Sequence, residues 1–170
     1  SSLFITRRSG NIPAGVACVC VFEGSRAFVV EIQALTVPAK ASLNRVYSEK
    51  IDSARVSRVA AVLEKRAGIR FSDQDLYINV AGGVRLTESA IDSALAAALY
   101  SARTDIPVPE KSVIIGELSL AGEIRPVTKQ KHRIKASREL GFERCFVPEK
   151  ESGAVAIESI SGLIKEVFAK

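Results

Sequence analysis

His132 is the only histidine in this 170-residue chain, so any serine or cysteine nucleophile activated by an imidazole would have to use it. Its neighbours Lys131, Arg133 and Lys135 are all cationic. They disfavour an imidazolium, and no carboxylate close in sequence could orient the ring. His132 therefore reads as a helix-surface residue rather than a base. Phosphate-cradling loops are missing too: neither GxxxxGKS/T nor GxGxxG occurs, and Gly82-Gly83, followed by Val84, Arg85 and Leu86, reads as a turn. ATP binding within these residues is not expected. Cys18, Cys20 and Cys145 are odd in number and form no CxxC pair, so with one histidine a zinc site lacks ligands. Cys18 and Cys20 sit in an apolar run and read as small core filler, and a reducing compartment is the simpler setting.

The positive charge is clustered. Residues 125–138 contain Arg125, Lys129, Lys131, Arg133, Lys135 and Arg138 and no acidic residue. On a helix Lys131, Lys135 and Arg138 fall at i, i+4 and i+7, a stripe of like charge that repels itself unless something anionic lies against it. A second group, Lys40, Arg45, Lys50, Arg55 and Arg58, is diluted by Glu49 and Asp52. A solvated face and a phosphate-binding face are both open readings of such runs. The net charge of +5 is compatible with a polyanionic partner without establishing one. With 6% aromatic residues there is little sign of base stacking, so contact with nucleic acid would be to the backbone, without sequence readout.

These residues need a scaffold, and the composition supplies one. At 47% hydrophobic residues the chain can bury roughly 70% of the surface its unfolded form exposes, enough for a core without disulfides or metal. No apolar run approaches the ~20 residues of a membrane span, and residues 1–10 lack the apolar core of a secretory signal. Methionine is absent even at position 1, so the sequence reads as a domain cut from something longer.

Residues 16–22 and 27–35 flank the turn signal Glu23, Gly24, Ser25, Arg26 and predict a hairpin. In the first run both alternating sets are apolar, which predicts a strand covered on both faces. Residues 37–51 read as a loop rich in Lys, Ser and Asn. Asp52 or Ser53 can cap a helix whose Val56, Val59, Ala60, Leu63 and Ala67 form an apolar stripe and which Gly68 stops. Residues 75–81 predict a strand. Thr87 with Glu88 then opens an alanine-rich helix to about Arg103, apolar on several sides and hence central. A strand over 112–118, an extended stretch over 123–127, a helix capped by Thr128, short strands at 144–147 and 154–158 and a last helix capped by Ser159 complete an α/β pattern.

Four separated segments, VEIQAL at 30–35, AVLEKRAG at 61–68, NVAGGV at 79–84 and GELSLAGEIRPV at 116–127, resemble the C-terminal Lon-protease-like domain of the bacterial RadA (Sms) DNA-repair proteins. Asn44-Arg45 and Ile51-Asp52 with Arg55 are similar to the family's loop and helix start. Lys50 stands where a glycine is usual, and Ser89 and Ser93 replace the usual proline and leucine. The resemblance implies an α/β (α+β) fold of the Lon proteolytic type, with mixed sheets and about four helices. Residues 1–12 would link it to a preceding ATPase region, and 13–170 would be the domain.

The resemblance extends distantly to Lon itself, whose serine nucleophile and lysine base are similar in position to Ile91 and Lys131. Ile91 has no nucleophilic atom. Ser89 and Ser93 are each two residues away, about 200° around a helix, and substitute poorly. The domain is thus expected to be catalytically inert, with Lys131 one cation of the stripe. What the resemblance implies further is a homo-oligomeric ring, hexameric in the family, that offers a DNA platform beneath an ATP-driven motor for repair, recombination and branch migration. ATP, magnesium and zinc would belong only to amino-terminal regions outside this chain, recombinase machinery would be met through the parent protein, and the setting would be cytoplasmic with no membrane. Arg45, Lys50, Arg55, Arg58, Lys129, Lys131, Arg133 and Lys135 are the expected DNA contacts. Two alternatives stay open: a residual Ser-Lys peptidase, and a purely structural ring without DNA contact.

Overall fold

The computed structural model of the chain describes residues 2–169 except Arg7 and Ser9. Its centre is the expected hairpin, β2 (Val16–Glu23) and β3 (Arg26–Pro38), paired antiparallel from Val16 opposite Gln33 to Glu23 opposite Arg26. Among the described residues, an eight-stranded mixed sheet grows on both sides of it. On one side β3 pairs antiparallel with β5 (Gln74–Val80), and β5 pairs in parallel with β4 (Val46–Ser48) at the edge. On the other, β2, β6 (Ser112–Ile114), β9 (Arg144–Val147) and β10 (Val155–Ala156) run parallel. β7 (Glu117–Leu118) and β8 (Ile124–Arg125) form a separate two-stranded piece.

Residues 16–21 of β2 are buried without alternation, which requires cover on both faces. The pleat identifies each cover. Residues directly opposite in a ladder share a face, and alternate residues along a strand share it too, so Cys18, Cys20, Val29, Glu31, Gln33, Leu35, Tyr77 and Tyr47 point one way. Val30, Ile32, Ala34, Leu76, Ile78 and Val80 point the other.

That second face carries α1 (Ser53–Ala67), α2 (Asp92–Thr104) and α4 (Ile160–Val167). Alanine lets α2 approach closely, and every residue from Asp92 to Leu99 is buried. The first face carries α3 (Gln130–Glu139), whose Ser137 and Arg138 reach the thiols of Cys20 and Cys145.

Local signals act as their chemistry predicts at three helix ends. Asp52 accepts the Ala54 N–H at 3.3 Å, Ser159 accepts the Gly162 N–H at 3.0 Å, and Gly68 closes α1 at φ 70°.

Four expectations need correction. Ser2–Phe4, inside the expected linker 1–12, is β1 and pairs in parallel with Phe28–Val30 of β3; Ser1, Arg7 and Ser9 of that stretch lie outside the described residues. Within 37–51, expected as loop, β3 continues to Pro38 and Val46–Ser48 is a strand, because β5 supplies hydrogen-bond partners that composition does not reveal. The central helix does not begin at Thr87: Glu88 is extended, a single 3-10 turn spans Ser89–Ile91, and α2 starts at Asp92. Thr128 does not cap α3; Lys129 precedes the helix at φ 57°, and the Thr128 carbonyl instead accepts from Arg133 Nε at 2.8 Å.

Candidate nucleic-acid interface

The expected cations separate into four environments. Lys131 and Lys135 stand exposed on α3 with His132 and Arg138, and neither lysine has an ion-pair or hydrogen-bond partner among the described residues. With Arg138, Glu139, Glu151 and Ser152 they line a shallow depression. A second depression beside it holds Lys129, Lys131, His132 and Lys150 with Glu149 and Glu151. The Lys129 ammonium lies 4.8 Å from the centroid of the Phe22 ring, a cation–π contact. Arg138 reaches across to the Gly153 carbonyl, tying the helix to the loop that forms the far wall.

Arg133 is not on this surface. Its side chain is 1% exposed; Nη1 donates to the Cys20 carbonyl at 2.9 Å, Nε donates to the Thr128 carbonyl, and Nη2 pairs with Glu88. Glu88 also accepts the Phe22 N–H at 3.1 Å. The expectation that Arg133 meets DNA phosphate is therefore corrected: its donors are taken by the protein interior. The reason is the 3.6-residue turn, which sets position 133 about 200° from position 131 and so turns it into the sheet.

Arg55 is likewise occupied. It donates to Asp92 at 2.5 Å, and Asp92 accepts the Leu118 N–H at 3.0 Å, joining α1, α2 and β7. Burial pushes the Asp92 carboxyl above its ordinary value, against the Leu118 N–H and the Arg55 guanidinium that pull it down. Arg58 is exposed on the same helix.

Arg45 and Lys50 flank β4 instead. Arg45 precedes Tyr47 by two residues and shares its sheet face, and Lys50 lines a depression with Tyr47, Tyr77 and Asn79. The group at 45–58 is thus split: Arg45 and Lys50 lie with α3 on one face, while Arg55 and Arg58 belong to the helical layer on the other.

With this geometry in hand, comparison with known proteins places the chain. Residues 36–151 match the family described as subunit ChlI of Mg-chelatase. The chain is 62% identical over 148 residues to DNA repair protein RadA of Treponema pallidum, covering 87% of this chain and 32% of that protein. It is 40% identical over 159 residues to DNA repair protein RadA of Halalkalibacterium halodurans, covering 94% of this chain and 35% of that protein. With DNA repair protein RadA of Streptococcus pneumoniae it shares 36% identity over 178 residues, 99% of this chain and 42% of that protein. The chain belongs to the matched family and is of the bacterial RadA type. It spans about a third of the length of the curated relatives it matches.

In this RadA-type chain Ile91 and Lys131 occupy different environments. Ile91 is 0% exposed and Lys131 is exposed, and among the described residues no hydroxyl hydrogen-bonds the Lys131 amine. Ser89 donates to Glu117 at 3.2 Å, and the Ser93 hydroxyl is buried without a partner. Among the described residues no group of three or more His, Cys, Asp or Glu could hold a metal ion, and no helix is long and apolar enough to cross a membrane.

Sequence reasoning missed the exposed pair Tyr47 and Tyr77 and the role of Glu88. The alternation Tyr77-Ile78-Asn79 in a strand already marks an outward face at Tyr77. Tyr47 had no such signal, because its strand is only three residues long.

Proposed function

We propose that this chain is the non-proteolytic, Lon-protease-like scaffold domain of a RadA-type, ATP-dependent DNA repair and recombination protein acting in branch migration. In this reading it forms a homo-oligomeric ring, hexameric as in the family, and holds the phosphate backbone of DNA. ATP, magnesium and zinc belong to the parts of the parent protein outside this chain, through which recombinase machinery is met, and the setting is cytoplasmic.

One observation carries the DNA contact. Lys131 and Lys135 stay exposed and unpartnered on α3 while Arg133, between them, is drawn inward. Free cations on a rigid helix suit phosphate, which needs charge rather than base-specific geometry. A few cations per subunit would add around a closed ring as avidity. The buried aliphatic side chain at position 91 supports the absence of peptidase chemistry, since acyl transfer needs an attacking oxygen there.

The test is anisotropy of a labelled duplex across a salt series, with the mass of the chain followed by light scattering. Affinity should fall steeply with salt, by about 0.9 in log–log slope per phosphate neutralised. Lys131→Glu with Lys135→Glu should weaken binding while the fold persists. A salt-independent affinity, or one that the double reversal leaves intact, overturns the assignment.

A further inference from the structure

Tyr47 and Tyr77 stand directly opposite each other on β4 and β5, with ring centroids 4.6 Å apart and planes 15° from parallel. They are thirty positions apart in the chain, yet the pair is not core: the two residues are 43% and 40% exposed, and Leu35, opposite Tyr77 on β3, is 56% exposed. The three form one cross-strand row on the sheet face that α3 covers farther along. Arg45 borders the row, where Tyr47, ahead of the nearby Asp75, holds its guanidinium pKa up. Lys50 borders it at the other end, beside Gln33 and Asn79, whose amides bond to each other at 3.2 Å. Glu49 also lines this depression.

We infer that this row is a stacking platform for single-stranded DNA, with bases laid on the Tyr47–Tyr77 pair and phosphates drawn to Arg45 and Lys50. The inference rests on the DNA-binding reading above and adds to it a contact with bases that duplex DNA cannot offer. Aromatic rings accept any base because every base has a π-face, and flanking cations track the backbone. Beside the rings the Asn79 amide oxygen can meet a base edge, while the Gln33 amide is held by Thr6, Glu31 and Asn79. A second copy of this chain suits the face less well. A stable interface buries about 800 Å² on each partner around an apolar centre, whereas this row is one residue deep, is rimmed by cations, and would meet a chain that is itself net +5. The α3 cations share the sheet face, with Arg8 over Glu31 at 2.9 Å between the two sites.

The chain has no tryptophan and three tyrosines, so tyrosine emission reports chiefly on this pair. Oligo-dT should quench that emission, and an abasic strand of equal length should not. Tyr47→Leu with Tyr77→Leu should weaken oligo-dT binding by about tenfold or more and leave duplex affinity unchanged, while Tyr47→Phe with Tyr77→Phe should retain it. Matched circular dichroism and melting curves establish that the variants fold. Equal binding of oligo-dT and abasic strand, or leucine variants that bind like the parent, overturns the platform and leaves duplex binding through Lys131 and Lys135 standing. A change in oligomeric mass with unchanged affinity per subunit makes the face an interface between copies and also overturns it. Failure to bind either DNA removes both readings.

Discussion

Arg133 and Glu88 form an ion pair that clamps α3 to the stretch entering α2 and, through the Cys20 carbonyl and the Phe22 N–H, to the backbone of β2. Each nitrogen of the guanidinium has an acceptor, so the charge of the buried Arg133 side chain is compensated.

Removing that compensation should be expensive. Arg133→Ala leaves Glu88 and two carbonyls without their donor and should lower stability by about 3 kcal/mol or more, read from urea midpoints. Lys131→Ala and Lys135→Ala, exposed on the same helix, should stay within about 0.5 kcal/mol. Equal costs for all three would contradict the burial of Arg133. The contrast also decides which variants can test DNA binding: loss of binding in an Arg133 variant would report on the fold.

The three cysteines should behave as buried apolar residues. Burial, with Glu31 nearby, pushes the Cys18 thiol up to about 12; burial also pushes Cys20 up to about 11 and raises Cys145. The thiolate is the reactive form. A chromogenic disulfide should therefore label the native protein slowly near neutral pH and titrate all three thiols only in denaturant. Rapid labelling of one thiol in the native state would refute this.

Glu31 gives a pH signature. Burial alone would raise its pKa, but hydrogen bonds from Arg8, Gln33 and Thr6, with the Arg8 charge, hold it below the ordinary 4.5. A carboxyl depressed in the folded state binds protons more tightly when unfolded, so its stabilisation is present above the unfolded value and is lost as pH falls through the folded one. The stability gap between the parent and Arg8→Gln should be full above about pH 5 and shrink below 4.5. A gap constant from pH 6 to pH 3, measured by thermal melts, would show that the pair does not titrate with folding.

Gly15 should tolerate no side chain. It sits at φ 90°, and a Cβ there would lie 2.3 Å from the Ala34 carbonyl oxygen, a backbone atom of a residue whose N–H donates to the Gly15 carbonyl at 2.7 Å. Gly15→Ala should cost about 2 kcal/mol or more, against about 1 kcal/mol at Gly24, where φ is also positive but space is open. Similar costs at both sites, by denaturant titration, would mean that the close approach to Ala34 relaxes freely.

Much of the scaffold was legible in local patterns: the hairpin, the apolar stripe of α1, the caps at Asp52 and Ser159, the stop at Gly68. Each is an interaction between residues a few positions apart, so short windows contain it. The inward turn of Arg133 was half legible, since helical geometry sets it opposite Lys131, but with both sides of α3 bearing cations no pattern said which side met the sheet. Glu88 carries the local pattern of a helix start, and its partners, Phe22 and Arg133, lie too far along the chain for a short window to show.

Residue order alone determined the central hairpin, both ends of α1, the start of α4 and the absence of a nucleophilic atom at position 91, because these depend on side-chain chemistry and short-range periodicity. Only the assembled sheet decided which cations face water, that Arg55 and Arg133 serve ion pairs, and that Tyr47 and Tyr77 stack. Strand register and helix docking bring together residues tens of positions apart, and those pairings are settled by burial across the whole core.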